Sequence, residues 1–259
     1  MEDKLSLAEL LSPFPLPLHN GVCLKRPLLE DIAKIGFHNY TMFINVLSIT
    51  FEEMLDVVKF RDAYNTMSSE EKSKISIYDL ILLETDFIQL FLQIFNFFID
   101  GTTVYNGSEK SFWILSCTDI KSLSDIDKKD IVGKIGRDNY HDLCQMILII
   151  NFVKTSVDDI SKVKSKKARE IMEKIRAEKA KLKKNVENGK DYSLGNVISK
   201  VASNSNGINF VNIWRLTIYQ LYNEFYEITY KKLSDMKNMN HAFAGGEMNF
   251  MDWIKAIED

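Results

Sequence analysis

All four prolines of this chain, Pro13, Pro15, Pro17 and Pro27, fall within its first 27 residues, so the rest of the 259-residue sequence lacks the strongest helix breaker. Glycine is also scarce, with 11 residues. Hydrophobic residues make up 46% and charged residues 27%, which predicts a folded chain with one large core or two modest ones and excludes global disorder. The expected fold is mainly α with a small β element (α+β).

The proline-rich stretch sets the first boundary. Residues 1–20 read as an N-terminal arm, because Pro13, Pro15 and Pro17 fix φ and remove backbone donors, which suits an extended conformation. The arm starts acidic and has no basic stretch leading into an unbroken apolar one, so a secretion signal is not expected. Val22 to Lys25 read as a short strand, and Pro27 suits the first turn of a helix running toward Gly36. Two segments then share a word: Lys34-Ile35-Gly36-Phe37-His38-Asn39-Tyr40 and Lys134-Ile135-Gly136-Arg137-Asp138-Asn139-Tyr140, each leading into an apolar helical run. Either residues 32–49 and 132–149 are a true repeat, or both converged on a helix-Gly-helix joint with Gly left-handed and Asn capping the next helix.

Tyr78 to Ile99 is the most apolar segment, and its polar residues fall on one narrow stripe, which predicts a single central buried helix. A membrane span is the rival, but Glu84 and Asp86 near its middle would each cost about 2.5 to 3.5 kcal/mol in a bilayer. Thr102 to Tyr105 and Phe112 to Cys117 flank Asn106-Gly107-Ser108-Glu109 and predict a hairpin, expected to form the small sheet with the strand near Val22. Ser122 to Ile135 carries helix-start signals, and His141 to Val153 reads as a second apolar helix.

Residues 21–155 therefore form a mainly helical domain with a small hairpin. Composition shifts at Lys162 to Lys184, where eleven basic residues face three acidic ones, a local +8 that leaves −11 on the remainder of a chain with net charge −3. The stretch 156–208 reads as a basic linker helix followed by a polar linker from Gly195 to Gly207. Residues 209–259 form a C-terminal helical unit, with Trp214, Tyr219, Tyr222, Tyr226 and Tyr230 on one strongly aromatic helix and Trp253 in a short tail helix able to fold back on it. These six residues are the predicted partner-binding set, since exposed aromatic rings are effective anchors. Filling of the protein's own core is the competing reading.

Chemistry is sparse. His19, His38, His141 and His241 share no ligand spacing with one another or with Cys23, Cys117 and Cys144, so no metal site is predicted. An odd number of scattered cysteines in apolar runs also speaks against a disulfide framework. His141 and Cys144, three apart beside Asp138 and Asp142, make the best thiolate-imidazole candidate, but Cys144 reads as a core residue. No phosphate-binding or hydrolase motif occurs, so no catalytic residue and no cofactor are assigned. The basic helix could track a nucleic-acid backbone, yet it has no interleaved aromatics and no second basic segment.

Asn209 to Phe225, NFVNIWRLTIYQLYNEF, resembles the nIw.LTiyQLyd.F signature of proteins from the tail gene clusters of phages and prophages of Gram-positive bacteria, some of them tail assembly chaperone-like. Asn20 to Pro27, the lysine-rich insert and Asp252-Trp253-Ile254-Lys255 are similar to the same group. The resemblance implies a non-enzymatic protein of phage tail morphogenesis that binds tape-measure or tube subunits. Its setting would be the host bacterial cytoplasm, without membrane attachment and with homo-oligomerisation open. A minor structural component of the virion, or a nucleic-acid-binding protein acting through residues 162–184, are the alternatives.

Overall fold

A computed structural model describes residues 5–18, 21–116, 128–153 and 193–244. The chain divides into two compact units, Met1–Thr155 and Ser156–Asp259. The architecture is mainly helical with small antiparallel sheets.

The first unit opens with helix α1 (Leu7–Leu11), then two short strands, β1 (Leu16–Pro17) and β2 (Cys23–Leu24). Helices follow in close succession: α2 (Leu29–Ile35), α3 (Phe37–Leu47), α4 (Phe51–Val57), α5 (Arg61–Thr66), α6 (Ser69–Ser73), α7 (Ile77–Ile81) and α8 (Thr85–Phe98). Four of these eight helices, α1, α4, α6 and α7, start at a reciprocal cap, in which a hydroxyl accepts an N–H three residues on and the acidic side chain there accepts the N–H of the cap residue. The pairs are Ser6 with Glu9, Thr50 with Glu53, Ser68 with Glu71 and Ser76 with Asp79. Such caps let helices of five to seven residues form, which propensity alone would not sustain.

The predicted single helix over Tyr78 to Ile99 is two helices. α7 ends at Ile81 with Leu82 as its C-cap, and α8 begins after Glu84, whose backbone is extended at φ −121°, ψ 125°. The break has a packing reason. Phe91, Ile94, Phe95 and Phe98 line the buried stripe of α8, and an unbroken 3.6-residue repeat would carry Tyr78 off that stripe. Re-aimed by the break, the Tyr78 hydroxyl donates to the Lys110 carbonyl at 2.9 Å, and its ring lies 5.3 Å from Tyr140 and 6.3 Å from Phe112. Glu84 itself is exposed.

The predicted hairpin is present as β3 (Thr102–Asn106) and β4 (Ser111–Leu115), paired from Thr102 with Leu115 to Asn106 with Ser111. Its third strand is not the one near Val22. β5 (Ile131–Ile135) fills that place, antiparallel to β4 with a bulge between Ile114 and Leu115. Residues 131–135, expected to be helical, are thus a strand, because Ile135 pairs with Phe112 and is fully buried on the core side of the sheet. β2 pairs instead with β1, Leu24 opposite Leu16, so the proline-rich stretch supplies one strand of a second, two-stranded sheet. β2 is also tied to the end of α8, where Lys25 N–H donates to the Phe98 carbonyl and Asp100 N–H to the Cys23 carbonyl, both at 2.8 Å.

Helix α9 (Tyr140–Ile150) closes the unit against α3. The shared word of the sequence serves two different joints. Gly36, at φ +88°, links two helices, whereas Gly136 links strand β5 to α9 and has no positive φ. Asn139 does stand before α9, but its side-chain oxygen accepts the Gly136 N–H at 2.8 Å, turning back toward the strand instead of capping forward.

The second unit, in its described part, holds α10 (Leu194–Asn204), a short 3-10 turn at Ile213–Arg215, and α11 (Ile218–Ala244). The stretch from Gly195, read as a linker, is therefore helical through Asn204: Ser193 accepts the Asn196 N–H, and Val197, Ile198 and Val201 form a buried stripe at helical spacing. The basic segment 162–184 and the tail carrying Trp253 lie outside the described residues.

Candidate functional site

The residues that carry the resemblance, Asn209 to Phe225, build a turn and a helix start. Asn209 Oδ1 accepts the N–H groups of Val211 at 2.9 Å and Asn212 at 3.2 Å, while Asn212 Oδ1 accepts the Asn209 N–H at 2.7 Å. Asn212 also donates through Nδ2 to the Gly207 carbonyl, and Trp214 Nε1 donates to the Phe210 carbonyl at 3.0 Å. Two asparagines and an indole thus hold one turn from three sides. Thr217 then begins α11 with a reciprocal cap: Gln220 N–H donates to Thr217 Oγ1, and Thr217 N–H donates to Gln220 Oε1 at 2.9 Å. The Thr-Ile-Tyr-Gln portion of the signature is a helix-start device.

The buried side of this unit consists of Val197, Ile198 and Val201 from α10 with Ile213, Ile218 and Leu221. Lys200 Nζ sits 5.9 Å above the Phe225 ring and Asn204 accepts from Lys232, so the contacts ascend together along both helices. α10 ends there, whereas α11 continues to Ala244.

Of the six predicted partner-binding residues, five are described. Trp214 lies in the 3-10 turn, half-buried, and α11 carries the other four. Tyr219, Tyr222 and Tyr230 are half-buried, and burial pushes the Tyr222 phenol above its ordinary range. Tyr226 is exposed at 42% and stacks with Tyr230 at 6.3 Å. Trp253 lies outside the described residues. Two residues that aromatic content alone did not single out are open as well: Phe210 is 56% and Val211 86% exposed at the tip of the asparagine-held turn. Their signal in the sequence was position, an apolar pair between two turn-forming asparagines.

The thiolate-imidazole candidate comes apart. His141 is exposed, whereas Cys144 is buried in the core of the first unit, where desolvation pushes its thiol up to about 12 despite a hydrogen bond from Tyr140. Among the described residues, no three His, Cys, Asp or Glu side chains gather as metal ligands, and no helix is long and apolar enough to cross a membrane. An open, mostly apolar groove along α3 runs past His38, Met42 and Val46.

Residues 182–258 match a family model described as the YomV second domain, a prophage-type family name. The match takes in the asparagine-held turn and all of α11. No curated protein and no solved structure matches the chain.

Proposed function

We propose that this is a non-enzymatic binding protein of phage tail morphogenesis, a tail assembly chaperone that holds tape-measure or tube proteins soluble until they assemble. The observation that carries the reading is the exposed Phe210–Val211 pair, set on a preformed turn within the prophage-type part of the chain. A buried core gains nothing from two apolar side chains displayed to solvent on a fixed backbone. A partner that desolvates them does. Tyr226, exposed and stacked with Tyr230, offers a second aromatic surface on α11.

The test is co-expression of the affinity-tagged full chain with the tape-measure and tube proteins of its gene cluster. Co-purification, with more of the client in the soluble fraction, is the expected result, and Phe210→Ser with Val211→Ser should abolish it while leaving the melting temperature unchanged. Clients that stay insoluble and unbound, or binding indifferent to that double variant, would overturn the reading.

A further inference from the structure

The strand edges of the first unit are obstructed by side chains and backbone close to them in sequence or space. In the three-stranded sheet, β3 and β5 are the outer strands. On β3, the Asn96 side chain accepts the Thr103 N–H at 2.8 Å and donates to the Thr103 carbonyl at 3.4 Å, so one amide takes both groups that a neighbouring strand would use. On β5, Asn139 Nδ2 donates to the Lys134 carbonyl at 2.8 Å. The backbone of Gly21 meanwhile lies against the Val132 carbonyl oxygen, so closely that a Cβ there would come within 1.8 Å of it.

The second sheet is obstructed by different means. β2 lies between the end of α8 and β1, which leaves the far side of β1 as its open edge. Pro15 and Pro17 are exposed there, and Phe14 beside them is 73% exposed. The Leu18 N–H donates to the Val22 carbonyl at 2.7 Å, and backbone groups alternate in direction along an extended chain. Leu16 and Leu18 therefore turn theirs toward β2, and Pro15 and Pro17 turn theirs outward. Neither outward nitrogen carries a hydrogen. With ordinary residues at these places the edge would be self-complementary. Two copies related by a two-fold axis at Leu16 would set residue 15 of one chain opposite residue 17 of the other, each pair exchanging N–H and C=O. An open edge beside an exposed Phe is a template for such pairing.

We propose that Pro15 and Pro17 are edge guards that keep two copies of this chain from joining strand to strand through β1. The first unit then meets other molecules through side chains, without lending them a sheet edge. This goes beyond the binding-protein reading and stands without it.

The experiment measures self-association of the full chain by sedimentation velocity over a concentration series. Pro15→Thr with Pro17→Thr should associate at least about tenfold more tightly than the unaltered chain. The new amides at 15 and 17 should gain protection from hydrogen exchange as concentration rises. Pro17→Thr alone keeps Pro15 as a restraint on the arm and supplies half the donors, so it should associate to an intermediate degree. Pro15→Lys with Pro17→Lys supplies the same donors but sets like charges opposite one another, and should associate no more than the unaltered chain. Loosening of the arm would act alike in the Thr and Lys pairs, so the contrast between them isolates the edge. Threonine variants that associate no more than the unaltered chain would overturn the proposal, as would equal association of the Thr and Lys pairs, or association that leaves the amides at 15 and 17 unprotected.

Discussion

The Tyr40 hydroxyl donates to Asn151 Oδ1 at 3.0 Å, a buried bond between residues 111 positions apart that ties α3 to the end of α9. Asn151 in turn donates to the Ile147 carbonyl at 2.7 Å, so its amide is engaged at both ends. Tyr40→Phe keeps the ring and leaves the amide oxygen without this donor, at an expected cost of about 1–3 kcal/mol. Urea denaturation of the variant checks it, and an unchanged midpoint would show that the bond contributes nothing net.

Gly21 and Gly36 both have positive φ, +76° and +88°, but only the first is crowded. A Cβ at Gly21 would lie 1.8 Å from the Val132 carbonyl oxygen of β5, whereas one at Gly36 meets nothing within 4 Å. Gly36→Ala should therefore cost only backbone strain, about 1–3 kcal/mol, and Gly21→Ala clearly more, because β5 must also move. Equal melting temperatures for the two variants would contradict this difference.

α8 should be the slowest element of the first unit in amide hydrogen exchange, with Leu82 to Glu84 exchanging faster than either neighbouring helix. Phe95→Ala, at a fully buried site 5.1 Å from the Phe112 ring, should cost about 3–5 kcal/mol. Leu90→Ala, at a half-buried position, should cost less. Uniform protection from Tyr78 through Ile99 would mean that the helix is continuous after all.

Burial raises the Cys144 thiol to about 12 from an ordinary 9.0, so the folded protein holds that proton over a range where the unfolded chain has lost it. The unfolded state binds fewer protons between these values, and stability from this group must fall as pH rises from about 9 toward 12. Comparison with Cys144→Ala should show a flatter decline in the variant. In the folded protein at pH 8, iodoacetamide should label Cys23 ahead of Cys144, as peptide mass mapping would show; labelling of Cys144 first would contradict its burial.

Much of the architecture was legible because local chemistry and global packing agree. Prolines confined to the start predict helices beyond it, and the Asn106-Gly107 turn marks the hairpin that forms. The failures share a physical cause, namely tertiary pairing that a window of sequence does not contain. Ile131 to Ile135 is a strand because β4 offers an edge, and the same Lys-Ile-Gly word therefore precedes a helix from two different elements. The break at Leu82 is set by where Tyr78 must reach. The start of α7 was readable, since Ser76 and Asp79 have capping-box spacing, but the unbroken apolar run masked it. At the candidate site, the aromatic helix was visible and the open Phe210–Val211 tip was not, because large rings drew the reading toward α11.

The turn between Gly207 and Trp214 is held by its own side chains, and this fixes the thermodynamics of any encounter there. A loose loop would lose about 1–2 kcal/mol of backbone freedom for each residue it had to order on contact. Here that ordering is complete before anything arrives, so a molecule meeting the tip restrains little beyond the side chains of Phe210 and Val211. Recognition at this point should behave as a rigid docking event, governed by shape and by how long the complex lasts, with no folding step of its own.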